Sequence, residues 1–144
     1  MSIEIRVFKL DPNAVPPKYA HTGPFGDLAA DLYSLRDEAI EPSQIVSIRT
    51  GIALEFPPDF GALIEDRSSI ALRGITTLAG VIDPGYRGEV LVVLYNLSQE
   101  RVVVRGGERI AQLRIVKRVE ASFVETSEIR LTDRGGAGFG STGS

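Results

Sequence analysis

The chain has 144 residues, a formal net charge of −3, a single histidine and no cysteine. Without cysteine, a disulfide framework, a thiolate metal site and a Cys nucleophile are excluded, and one histidine, His21, leaves almost no material for a His-based triad or a multi-histidine metal centre. Acidic and basic residues are interspersed rather than blocked, so binding along a polyanion such as nucleic acid is not expected. The length suits one domain, which would bury roughly 68–70% of its extended-chain surface. No apolar run is long enough to span a membrane and no basic-apolar leader opens the chain, so a soluble, intracellular (cytoplasmic) protein without a membrane partner is expected.

Taken in chain order, apolar residues mostly recur with period two. Ile3, Ile5 and Val7 alternate with Glu4 and Arg6, predicting a half-buried strand. The stretch Asp27 to Ala39 tolerates helix by composition, but Leu28, Ala30 and Leu32 alternate, and it is read as strand. Val46, Ile48, Ile52, Leu54 and Phe56 fall on even positions, a second half-buried strand. Ser68 to Gly74, SSIALRG, has a Ser start and a Gly stop and predicts the one short helix. Val90 to Leu94, VLVVL, is continuously apolar; a strand covered on both faces or a strand at a subunit contact would both look like this. Val102 to Val104 and Ile110 to Val116 add further strands. Pro57-Pro58, Asp83-Pro84-Gly85, Asn96 to Glu100 and Gly106-Gly107 mark the turns, at a spacing that predicts an all-β sandwich or barrel.

The chain closes on RGGAGFGSTGS, with five glycines, Arg134 and the lone aromatic Phe139. Two readings stand: a frayed Gly/Ser-rich terminus, or a flap over an anionic ligand, with backbone N–H groups and Arg134 for phosphate and Phe139 to stack on a flat base. A Walker A pattern is absent, because no Gly-Lys-Ser/Thr follows.

Five stretches stand out in order: AADLYS (29–34), DRSSIA (66–71), GVIDPGYRGEV (80–90), GERIAQL (107–113) and RGGAGFGSTG (134–143). In this order and spacing they resemble the five motifs of the trimeric dUTPase family. The resemblance implies an all-β fold, a distorted jelly-roll barrel or sandwich with one short helix. It also implies a homotrimer with C-terminal arm exchange: residues 1–133 would form the β domain and 134–144 a Gly-rich arm closing a neighbouring active site. The implied reaction is Mg²⁺-assisted hydrolysis of dUTP to dUMP and pyrophosphate, which keeps uracil out of DNA and supplies dUMP for dTTP synthesis.

The same resemblance assigns roles. Asp83 matches the catalytic aspartate that would activate the attacking water; on its own it would read as an ordinary turn Asp before Pro. Tyr86 matches the ring against the deoxyribose, which would leave no room for a 2′-hydroxyl. Gly80, Val81, Ile82 and, across the turn, Leu91 match the positions that read the uracil edge. Arg67, Ser68 and Ser69 match the phosphate-binding segment, where a Ser at a helix start also reads as a simple N-cap. Asp31 matches the aspartate that holds Mg²⁺ through water, and Gln112 a neutral donor to phosphate or water. Arg109, beside it, is read as structural. Arg134 would reach the γ-phosphate, Phe139 would stack on uracil, and Gly140, Ser141 and Thr142 would donate to phosphates.

Two positions depart from the common pattern. Asp66 stands where Gly or Pro is usual and could weaken phosphate binding or pair with Arg67. Thr77 stands where many members carry Asn. Two alternatives are weighed. A dCTP deaminase would need a glutamate where this chain has Val93, and that family lacks the Gly-rich arm. A dUTP-binding regulatory module without catalysis is the other, set against the intact group Asp31, Arg67, Ser68, Asp83, Gln112 and Arg134.

Overall fold

A computed structural model describes residues 2–140. The expected all-β architecture holds, with one short helix. The strands are β1 (Arg6–Lys9), β2 (Ala30–Tyr33), β3 (Glu38–Ile40), β4 (Ile45–Glu55), β5 (Phe60–Glu65), β6 (Ile75–Leu78), β7 (Val81–Ile82), β8 (Glu89–Asn96), β9 (Val102–Val104) and β10 (Arg109–Lys117), with α1 (Ser68–Ala71) between β5 and β6. They form two four-stranded sheets, ordered β1-β4-β8-β6 and β2-β10-β5-β7, and a ribbon of β3 and β9. Every pairing is antiparallel.

Period-two patterning explains the layering, since alternate side chains of a strand leave opposite faces of the sheet. Ile48, Ile52 and Leu54 of β4 and Val90, Val92 and Leu94 of β8 point inward from the first sheet. Leu32, Ala62, Ile64, Ile110, Ala111 and Leu113 meet them from the second, in one continuous core. The even positions of β4 stay in phase across an irregularity between Arg49 and Ala53. There Gly51 takes φ +72, and its N–H donates to a Glu89 carboxylate oxygen at 3.0 Å.

The structure revises several local expectations. The first strand starts at Arg6, later than Ile3, and all of β1 is exposed, because it is an edge strand. Residues 27–39 are two short strands parted by a bend, with Leu28 exposed and only Ala30 and Leu32 of the alternating set buried. VLVVL is not covered on both faces within the chain. Val90, Val92 and Leu94 are buried, whereas Leu91 is 41% exposed. The helix is capped by Arg67, not by a serine, and makes no side-chain cap bond. Its Gly stop is as expected: Gly74 sits at φ +84, its N–H donating to Ala71 O at 2.9 Å.

Asn96 closes β8 with a side chain that is 0% exposed. Its Nδ2 donates to the carbonyls of Ile40 (2.9 Å) and Glu100 (2.8 Å), and its Oδ1 accepts from the Ser98 N–H (2.9 Å) and hydroxyl (2.7 Å). Buried carbonyls left without donors are costly. Asn96→Ala is therefore expected to lower unfolding free energy by about 2–4 kcal/mol, read from the urea midpoint; a loss below about 0.5 kcal/mol would contradict this role.

Candidate active site

The sequence-predicted residues fall into two groups and a tail. The first group lies where β2, β10 and β5 run side by side. Gln112 of β10 is directly opposite Asp31 of β2 on one side and Glu65 of β5 on the other. Directly opposed residues share a face of the sheet, so the three make a polar row. Just beyond β5, Arg67 brings its Nε to 3.7 Å from Asp31 Oδ1, and Arg109 Nη1 lies 3.7 Å from Asp31 Oδ2. Asp31 is thus flanked by two guanidinium groups, and Arg67 also donates to the Ser69 hydroxyl. Ser68 and Ser69 open α1, whose first-turn amides have no intrahelical acceptor. The cluster is a ready anion site with one carboxylate at its centre.

Arg109, read from the sequence as structural, stands in this cluster through its ion pair with Asp31. Its spacing of three residues from Gln112 gives no clue, because only the pairing of β10 with β2 reveals their common neighbour. Asp66 does not pair with Arg67. Its Oδ1 accepts from the Thr77 N–H at 2.6 Å and hydroxyl at 2.7 Å, and its Oδ2 accepts from the Thr76 hydroxyl at 2.8 Å.

The second group surrounds a cavity of about 220 Å³ lined by Gly80, Val81, Ile82, Asp83, Tyr86 and Leu91, with Leu78, Glu89 and Val93 among the other walls. Pockets for drug-sized ligands run to about 300–1,000 Å³, so this one suits a single ring or part of a larger ligand. A tight turn commonly joins the paired arms of a β-hairpin. The turn is tight, with the Tyr86 N–H donating to Asp83 O at 3.1 Å, but its arms are not paired with each other. β7 pairs with β5 in one sheet, and β8 pairs with β4 and β6 in the other. The cavity is the gap between the diverging arms. β7 is also the last strand of its sheet, so its outer edge offers unpaired backbone donors and acceptors.

Close packing holds the gap open. Gly80 has φ +116, and a Cβ there would stand 2.7 Å from Ile64 O, so only glycine fits. Its own carbonyl accepts from the Ile64 N–H at 2.7 Å. Across the pocket, the Tyr86 hydroxyl donates to Glu89 O at 2.7 Å, which fixes the ring. The Glu89 carboxylate is bound by Arg49 Nε (3.1 and 3.0 Å) and by the Gly51 N–H, leaving Asp83 as the free, exposed carboxylate at the pocket. Glu89 and Gly88 lie inside the quoted third motif, but nothing in their type announces these supporting roles.

Among the described residues, the tail forms no part of either group. From Val119 to Glu128 every residue is exposed, and Arg134 Nε donates to Ala137 O at 2.7 Å, curling the chain on itself. Phe139 is fully exposed at φ +47, and Gly140 follows at φ +78. Ser141 and Thr142 lie outside the described residues. Among the described residues, no hydrogen bond or ion pair joins the Asp31 cluster to Asp83 or Tyr86. His21 is a surface residue, bonded to Asp27 at 3.1 Å. A larger trough of about 640 Å³ near the N-terminus, lined by Ile3, Ile5, Tyr19 and Ile115 among others, contains none of the predicted site residues.

This arrangement of two β-sheets, one short helix and a splayed turn is the dUTPase fold. The structure superposes on a Staphylococcus bacteriophage 80alpha dUTPase G164S mutant solved with dUpNHpp, with a TM-score of 0.84 at 23% identity, covering 98% of this chain and 99% of that one. The dUTPase family model matches residues 18–143. The deoxyuridine 5′-triphosphate nucleotidohydrolase of Solibacter usitatus (strain Ellin6076) is 44% identical over 98% of this chain and 97% of its own. That of Thermobifida fusca (strain YX) is 42% identical over 99% and 80%. The chain belongs to the dUTPase family, as its five motifs implied.

The gap beside Tyr86 yields a direct test. A Cβ on Gly88 would stand 2.6 Å from the Tyr86 hydroxyl oxygen and 2.7 Å from Cζ, closer than packed atoms approach. Gly88→Ala is expected to swing the ring away and break its bond to Glu89 O, with a loss of about 1–2 kcal/mol in stability. A crystal structure of the variant with that bond intact would contradict this.

Proposed function

We propose that the protein hydrolyses dUTP to dUMP and pyrophosphate, with Asp83 activating the water that attacks the α-phosphorus. The observation that carries this reading is the splayed 80–91 segment, which sets an exposed carboxylate at the mouth of a small pocket walled by a free strand edge. Family membership, with relatives named deoxyuridine 5′-triphosphate nucleotidohydrolase across nearly the whole chain, gives the substrate.

The chemistry follows from the parts. Uracil enters the gap beside Gly80, Val81 and Ile82, and the backbone of Val81, on the edge of β7 opposite the Gly80 carbonyl that bonds Ile64, pairs with it as a second base would. Leu91 closes the opposite wall. The Tyr86 ring lies against the deoxyribose, where a 2′-hydroxyl would collide with it. Asp83 takes a proton from water as the new oxygen–phosphorus bond forms and the bridging bond to the β-phosphate breaks, releasing pyrophosphate. Arg67, Ser68, Ser69 and Gln112 receive the phosphate oxygens. No carboxylate stands at residue 93, and Glu89 is occupied by Arg49, so nothing in the pocket favours deamination.

Among the described residues no group of three or more His, Cys, Asp or Glu could cage a metal ion. A single carboxylate between two arginines fits instead an ion that arrives on a polyphosphate and keeps its waters, so Asp31 would hold Mg²⁺ through water. When bound, Mg²⁺ neutralises charge on the phosphates and the leaving pyrophosphate.

Among the described residues no hydrogen bond or ion pair joins the two groups within one chain, which is compatible with a composite site. In a homotrimer, the phosphate cluster of one subunit would face the base pocket of another, and the arm of a third would close over both. Val119, Phe123, Val124, Ile129 and Leu131 are each more than 80% exposed on the single chain, as an exchanged segment would be. Arg134 would then leave Ala137 for the γ-phosphate, Phe139 would cover the uracil, and Gly140, Ser141 and Thr142 would complete the donors. On this reading residues 1–133 form the β domain and 134–144 the closing arm. A cytoplasmic place fits the substrate, and among the described residues no helix is long and apolar enough to cross a membrane.

Pyrophosphate release from dUTP tests the reaction. Asp83→Asn is expected to lower kcat by about 10²–10⁴ with KM little changed; equal turnover removes Asp83 as the base, and dUTP binding without turnover in the parent protein removes hydrolysis. Truncation after Asp133 is expected to preserve the melting temperature and a trimer mass while most of kcat is lost. Full activity in the truncated protein would refute the closing arm.

A further inference from the structure

Asp66 sits between β5 and Arg67, at the entrance to α1. Its carboxylate accepts three hydrogen bonds from two adjacent residues of β6, the Thr77 amide and hydroxyl on Oδ1 and the Thr76 hydroxyl on Oδ2. β6 is the last strand of its sheet, so the Thr77 amide points off the sheet edge and would otherwise meet only solvent. Burial raises the Asp66 pKa. The hydroxyl of Thr77, its amide and the hydroxyl of Thr76 outweigh it and hold the carboxyl below its ordinary value, so the group is charged at neutral pH.

A free carboxylate next to a phosphate-binding arginine would neutralise it or repel the phosphate. Here the three donors engage both Asp66 oxygens on β6, and among the described residues Asp66 forms no ion pair with Arg67. The Arg67 guanidinium remains with Asp31 and Ser69. β6 also runs on to Leu78, which lines the base pocket.

We propose that Asp66 is a positioning residue, which clamps the loop before α1 onto the edge of β6 and so fixes Arg67 and Ser69 for the phosphates. The proposal rests on the reading of Arg67 and Ser69 as phosphate ligands.

The test compares Asp66→Ala, Asp66→Asn and Arg67→Ala by calorimetric titration with dUpNHpp and, separately, with deoxyuridine, which lacks phosphates. Asp66→Ala is expected to weaken dUpNHpp binding about tenfold or more while deoxyuridine binding stays within about twofold. Asp66→Asn is expected to recover most of the loss, since its carbonyl still accepts from Thr77 and its amide donates to a rotated Thr76 hydroxyl. Unchanged or tighter dUpNHpp binding in Asp66→Ala, or an equal loss for both ligands, overturns the proposal. Unchanged dUpNHpp binding in Arg67→Ala removes the phosphate reading itself, and the clamp's role with it.

Discussion

Where β6 hands over to β7, the carbonyl oxygen of Ile64 leaves no room for a side chain at residue 80. That one close approach lets β7 lie against β5 and so leave the sheet to which β6 and β8 belong. A Cβ at Gly61 would likewise stand 2.5 Å from Ile82 O, so both crossings between β5 and β7 depend on the absence of a side chain. The pocket exists because the chain changes sheets there. Had the two arms paired as a hairpin, the strand edge would be satisfied and no base-sized gap would remain.

The two halves of the site are prepared differently. The pocket is shaped by backbone approach and a tethered ring, both of which are rigid. The Asp31 cluster is shaped by charge: one carboxylate between two guanidinium groups, at the β2 end of a three-strand row. Its ion pairs are long and partly exposed, which suits groups that must exchange partners when an anion arrives. The buried polar residues elsewhere do the opposite. The Thr50 hydroxyl donates to Val90 O at 2.6 Å, and the Asn96 side chain bonds Ile40 of β3 and the 98–100 turn, tying β8 to its surroundings.

Much was legible in the chain itself. Period-two apolar residues mark β4 in the sequence, and Gly and Pro mark the turns. The motif residues around Asp83 could be named, and they do line one pocket. Less legible was anything set by neighbours far along the chain. β5 and β6 are short, and their boundaries follow from pairing with β10 and β8 rather than from alternation. The continuous run VLVVL is not covered on both faces within the chain, since Leu91 and Val93 line the pocket side; its other reading, a strand at a subunit contact, concerns a second chain. By sequence Asp66 is a carboxylate beside Arg67; its partners, Thr76 and Thr77, lie ten and eleven residues on and meet it only through the fold.

By itself, the order of residues determined the β character and the family, and it named the candidate site residues. These depend on local periodicity and on side-chain chemistry, which the chain carries wherever it goes. Tertiary structure alone decided that β7 and β8 part, that Arg109 joins Asp31, that Glu89 is spent on Arg49 while Asp83 stays free, and that Asp66 faces β6. Each of these is a contact between segments of different strands or loops, fixed by register and by the few places where two backbones can touch.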